Sequence, residues 1–216
     1  GYLSLDERAV IPNMMAEFGV MNAYLPPDEA IFAYLENKRT REYSPIYPDS
    51  DAVYQDDYMV DVNQLEPQIA LPHNPDNVVN LSEAIGQPVQ QAFIGTCTNG
   101  RYEDLEAAAH ILKGKHVKIR TIIIPASSQV LLRATQSGVL QTLIEAGATI
   151  GTPGCGPCMG NHMGIPAPNE VTISTANRNF KGRMGTPNSD IYLASPYVTA
   201  ASALTGKITH PGEFLA

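Results

Sequence analysis

From Gln91 onward the sequence alternates short β-branched runs with amphipathic stretches, and this alternation constrains the fold more than any other feature. Residues 116–124 are rich in β-branched residues (Val117, Ile119, Thr121, Ile122, Ile123 and Ile124), as expected for a strand buried on both faces. Further strands are predicted at residues 91–95, 148–150, 171–174 and 190–193. Helices are predicted between them. Residues 101–113 place Tyr102, Leu105, Ala109 and Leu112 on one face, the spacing of a helix packed on a core. Ser127 or Ser128 can cap a helix over residues 129–135 by accepting a free backbone N–H. Residues 139–146 continue the helical pattern, and Gly147 ends it. A last helix is predicted at residues 196–204, with Gly206 as its stop. Strand and helix in alternation imply parallel strands joined by right-handed crossovers, so the fold class is α/β.

The first third of the chain reads differently. Residues 9–35 are predicted mostly helical, with Ile11, Met14, Met15, Phe18 and Met21 as an apolar stripe. Pro26-Pro27-Asp28-Glu29 marks a helix start. Residues 40–57 are rich in Pro, Asp and Ser and read as a surface connection. Residues 59–63 alternate and suit an edge strand. Residues 66–80 carry Pro67, Pro72 and Pro75 and read as an irregular linker. A boundary there divides the chain into 1–65 and 66–216. No internal repeat is visible.

Composition excludes some functions. Fourteen Lys and Arg against twenty-two Asp and Glu give a net charge of −8. Nucleic-acid binding needs clustered positive charge, so that partner is not expected. No apolar run approaches the roughly 18–20 residues of a membrane span. No secretory leader is visible. The sequence begins Gly1-Tyr2-Leu3 without an initiator Met, which reads as part of a longer protein.

Chemistry concentrates in three loops. Cys97 lies in Gly95-Thr96-Cys97-Thr98-Asn99-Gly100, and Cys155 and Cys158 lie in Gly154-Cys155-Gly156-Pro157-Cys158-Met159-Gly160. Three is an odd number for a disulfide scaffold, and none of the three lies in an apolar run. The predicted strands put both loops, and Asn177-Arg178, at the carboxyl ends of parallel strands. Open α/β sheets place their ligands there. A reducing compartment is expected. The Cys155–Cys158 spacing suits a redox dithiol, but this leaves Cys97 unexplained. A Cys3His zinc site would recruit His162. An iron–sulfur cluster on three thiolates would leave one iron open as a Lewis acid. Three unrelated thiols remain the bland reading. Arg178 and Arg183, after the strand at 171–174, could each clamp a carboxylate bidentately. They could equally pair with surface acids; beside a cluster with an open iron, carboxylate recognition is the better reading.

The two cysteine segments, together with Asn177-Arg178-Asn179-Phe180 and Gly182-Arg183, resemble the three signatures of the aconitase superfamily, in order. Asn13-Met14-Met15-Ala16-Glu17-Phe18-Gly19 resembles a further segment of that family. Glu66-Pro67-Gln68-Ile69-Ala70 followed by Pro72-His73 and Asn77-Val78 resembles the group containing the large subunits of 3-isopropylmalate dehydratase and homoaconitase.

The resemblance implies a three-layer αβα cluster domain with a parallel sheet at 66–216, and the end of a preceding α/β domain at 1–65. It implies that Cys97, Cys155 and Cys158 ligate a 4Fe–4S cluster, with Asn13 and Asn177 hydrogen-bonding around it. Arg178 and Arg183 would bind substrate carboxylates, and Glu17 would assist protonation of the departing hydroxyl as the catalytic acid. The implied activity is a hydro-lyase of amino-acid biosynthesis, moving a hydroxyl between adjacent carbons of a small di- or tricarboxylic hydroxy acid. The expected partner is a small subunit carrying the swivelling domain, in a cytoplasmic hetero-oligomer. Further catalytic groups are expected outside these residues, so the chain alone is expected to have little activity.

Overall fold

A computed structural model describes residues 3–36 and 38–215. The chain divides into two compact units, Gly1–Leu65 and Glu66–Ala216.

In the first unit, helix α1 spans Leu5–Met15 and α2 spans Glu29–Glu36. The Ser4 side chain accepts from the Glu7 backbone N–H while the Glu7 side chain accepts from Ser4, a reciprocal cap that starts α1 earlier than residue 9. One 3-10 turn, Ala16–Phe18, follows α1, and Gly19 at φ 72° ends it. Residues 20–27 are not helical, so the expected continuous helix is two helices. The apolar stripe is not buried either: Phe18 is 45% exposed and Met21 fully so. Arg8 is the buried residue of α1, and its guanidinium reaches Asp28 at 2.6 Å. The expected edge strand at 59–63 is absent. Met59 and Val60 are exposed without a strand partner, and Val62–Gln64 is a 3-10 turn capped by Asp61.

In the second unit, the described residues form one seven-stranded sheet in the order β2-β1-β7-β6-β3-β4-β5. Its strands are β1 Gln68–Ala70, β2 Val78–Asn80, β3 Gln91–Ile94, β4 Arg120–Ile123, β5 Thr149–Ile150, β6 Val171–Ser174 and β7 Asp190–Leu193. β7, β6, β3, β4 and β5 run parallel; β1 runs antiparallel to β7 and β2. The supposed linker at 66–80 is therefore a hairpin on the sheet edge. Pro72 and Pro75 fall in its turn and Pro67 lies before it, where no ladder donor is lost. The strand predicted over 116–124 shortens to β4; the Val117 and Lys118 N–H groups bond to Ala146 and Ala203 instead. The helices are α3 Thr96–Asn99, α4 Tyr102–Leu112, α5 Ser128–Gln136, α6 Val139–Glu145 and α7 Pro196–Thr205. Ser127 and Ser195 cap α5 and α7.

Side-chain alternation divides the core between the two faces of the sheet. Ile94 and Ile123 pack with Leu105, Leu112, Leu143 and Leu204 of α4, α6 and α7. Their neighbours Phe93, Ile122 and Ile124 face the other way, onto Cys158, Ala176 and Met184. The layer on this second face is made of the connections between residues 151 and 189, with a 3-10 turn at Gly156–Met159 in place of α-helices. Strand order explains this placement. β3, β4 and β5 step one way across the sheet, and β6 then returns to the other side of β3. Right-handed crossovers require connections of opposite direction to lie on opposite faces.

Candidate functional site

The reversal of strand order falls between β3 and β6, the place where an open α/β sheet leaves a crevice at its carboxyl edge. β3 leads through Gly95 into Cys97, and β6 leads through Thr175 into Asn177 and Arg178.

The two exits are bonded together. The Thr175 hydroxyl accepts from the Gly95 N–H at 2.9 Å, and its one proton points to the Gly95 and Asn99 carbonyls, each at 3.2 Å. The Asn99 side-chain amide donates back to the Thr175 carbonyl at 3.0 Å. Thr96 donates to Asn177 Oδ1 at 3.4 Å and accepts from the backbone N–H groups of Thr98 and Asn99, both at 3.3 Å. Thr96 has φ 85°, a left-handed conformation that β-branched residues seldom adopt. Such strain costs about 1–3 kcal/mol and persists only where surrounding bonds over-determine it. No side chain fits at Gly95, because a Cβ would lie 2.7 Å from the Phe93 ring and 2.9 Å from the Ile124 carbonyl.

The second cysteine loop starts from β5, at the far edge of the sheet, and reaches back. A Cβ on Gly156 would lie 2.7 Å from Ile124 and 3.5 Å from Phe93, so this turn rests above β4 and β3. Gly160 in turn touches the arginine loop; a Cβ there would be 2.4 Å from the Gly185 nitrogen and 2.8 Å from the Arg183 carbonyl. Arg183 consequently lies beside Cys158, with a guanidinium N–H donating to Sγ at 3.9 Å. Arg183 Nε is buried without a hydrogen-bond partner.

Cys97 and Cys155 are exposed, Cys158 is buried, and all three are free thiols. Burial pushes the Cys158 thiol up. The Arg183 hydrogen bond and charge pull it back, and negative charge on Cys155 and Cys97 raises it again. Asn177 is buried and Arg178 half-buried in the loop after β6. Asn13, exposed on α1, and Glu17, half-buried in the 3-10 turn, belong to the first unit.

Among the described residues, no three His, Cys, Asp or Glu side chains form a group that could hold a metal ion. A single zinc needs all its donors within about 2.0–2.3 Å of one point. A cluster places each thiolate on a different iron, so three thiols around a space satisfy it. Two cysteine turns that rest against Phe93 and Ile124, with an arginine donating to the Cys158 sulfur, supply three thiols at this edge of the sheet. His162 is exposed. Sequence reasoning gave Thr96, Asn99 and Thr175 no role. Thr96 and Asn99 appeared only as parts of the Cys97 signature segment, and Thr175 had only its position directly after a buried strand.

The sequence model of the Aconitase family (aconitate hydratase) matches residues 1–88 and 83–206. A probable methanogen homoaconitase large subunit of Methanosarcina mazei is 53% identical over 209 residues, 97% of this chain and 53% of that protein. The 3-isopropylmalate dehydratase large subunit of Halothermothrix orenii is 50% identical over 215 residues, 99% of this chain and 51% of that protein. The homoaconitase large subunit of Thermus thermophilus is 50% identical over 213 residues, 98% of this chain and 50% of that protein. The chain spans about half the length of these curated relatives. With the family model matching nearly the whole chain, and its signature loops gathered at the carboxyl edge of the sheet, the chain belongs to the aconitase family.

Proposed function

We propose that the chain is the cluster-binding half of the large subunit of 3-isopropylmalate dehydratase, a hydro-lyase interconverting 2- and 3-isopropylmalate by loss and readdition of water in leucine biosynthesis. The observation that carries this reading is that both cysteine turns rest on the same part of the sheet, Gly95 and Gly156 each against Phe93 and Ile124, with Arg183 donating to Cys158. These cysteines would hold a 4Fe–4S cluster, and thiolates are its usual ligands. When bound, the cluster would supply an iron without a protein thiolate, a Lewis acid for substrate oxygen.

The chain's own residues do the rest. Asn177, whose Oδ1 accepts from Thr96, and Asn13 would hydrogen-bond around the cluster. Arg178 and Arg183 hold substrate carboxylates in a planar fork, fixing which carbon faces the reacting groups. Glu17 exchanges the proton of the hydroxyl that leaves and returns. The large-subunit names of the relatives support a small-subunit partner that completes the site. Three free thiols suit a reducing cytoplasm. No helix of the described residues is long and apolar enough to cross a membrane. A homoaconitase large subunit is the second reading, favoured by the 53% identity to the Methanosarcina mazei protein.

Anaerobic reconstitution with iron and sulfide tests the proposal. About four irons per chain with broad visible absorption, lost in Cys155→Ser, is the expected result. One tightly bound zinc and no iron chromophore overturns it.

A further inference from the structure

We infer that Thr175 is a positioning residue, whose hydroxyl sets Cys97 and the Asn177–Arg178 loop in a fixed register. The inference rests on the proposed cluster site for its consequence, but its geometry stands independently. Thr175 is 1% exposed and is the first residue after β6. Its backbone N–H bonds to the Phe93 carbonyl at 3.0 Å and continues the β3–β6 ladder. Its hydroxyl then leaves the ladder and bonds to both ends of the Cys97 turn, Gly95 before it and Asn99 after it. Asn99 returns a bond to the Thr175 carbonyl. A turn holding a strained Thr96 at φ 85° needs such cross-bonds, because its own backbone would relax. Two residues on, Asn177 accepts from Thr96, so one short segment fixes the cysteine turn and presents the amide and Arg178. A valine would keep the volume and β-branching while leaving the Gly95 N–H without its acceptor.

The test is alkylation of the 216-residue chain by iodoacetamide, metal-free and reduced, with each cysteine followed by peptide mass. Thr175→Val is expected to change the Cys97 rate on the order of tenfold while leaving Cys155 within about twofold, as one lost buried bond loosens a turn locally. Thr175→Ser restores the hydroxyl and is expected to restore the wild-type rate. Unchanged Cys97 reactivity in Thr175→Val overturns the inference. So does a uniform rise at all three cysteines with a lowered melting temperature, which reports general unfolding. If Thr175→Val does not fold, Asn99→Ala decides: selective change at Cys97 supports the inference, and wild-type rates overturn it. Reconstitution of the same proteins separates this inference from the cluster reading. A wild-type chain that takes up no iron and sulfide, while Cys97 still responds to Thr175, overturns the cluster and leaves the positioning role. A loaded wild type and Thr175→Val with identical EPR spectra and alkylation overturn the positioning role alone.

Discussion

At the scale of single residues, two left-handed glycines make opposite predictions. Gly160, at φ 75°, has the Gly185 nitrogen 2.4 Å from where a Cβ would sit. Gly19, at φ 72°, has nothing within 4 Å. Gly19→Ala should cost only the left-handed penalty, about 1–2 kcal/mol in chemical denaturation. Gly160→Ala adds a backbone clash, so it should cost more, part the cysteine loop from the Arg183 loop and reduce iron uptake. Equal costs for the two would refute the close approach. A second prediction concerns pH. The Arg8 guanidinium, hydrogen-bonding Asp28, lowers that carboxyl to about 2 from 3.8. Folding favours the ionised carboxylate, so the pair's contribution is fully present above 3.8 and lost as pH falls through about 2. An NMR titration of Asp28 should show the low midpoint, and Arg8→Met should return it toward 3.8. Arg178 and Arg183 were singled out by residue type, since few side chains suit bidentate carboxylate binding, but the meeting of Arg183 with Cys158 was not. Thr175 was not, because a hydroxyl gains meaning only from what surrounds it.

At the scale of elements, three strands are locked at the edge opposite the cysteines. Gln91 is fully buried at the start of β3. Its amide donates to the Gly164 carbonyl at 3.0 Å and to Thr172 of β6 at 3.3 Å, and it accepts from Arg120 of β4 at 2.6 Å. Arg120 also pairs with Glu170 at 2.5 Å, which lowers the Glu170 carboxyl. Gln91→Leu should destabilise the second unit by about 1–3 kcal/mol in denaturant melts, by orphaning buried partners. Iron uptake by the folded fraction should stay at the wild-type level, and its loss would contradict this separation of lock and site. Helices α4, α5 and α7 were legible because several turns of periodicity and a serine or glycine punctuate them. β1 and β2 were not, and only the extent of β4 was missed. A three-residue strand carries too few side chains to show a period, and its existence depends on a neighbour with free ladder groups.

At the scale of the whole molecule, the chain spans about half the length of its relatives, and the function proposed above predicts that turnover needs further residues and a partner. The 216-residue chain should assemble a cluster without turnover. Adding the remaining large-subunit residues and a small subunit should give dehydration of isopropylmalate. Measurable turnover by the chain alone would refute that division of labour. The sequence alone determined the parallel α/β class, the three cysteines and the loops that bear them. β-branched runs and glycine-flanked cysteines are local signals, and local signals survive in one dimension. The tertiary structure alone decided that β6 returns beside β3, that the connections between 151 and 189 form the second face, and that Arg183 meets Cys158. Those facts follow from strand order and close backbone approach. Both are set by which surfaces pack together across long separations in the chain, which no local window contains.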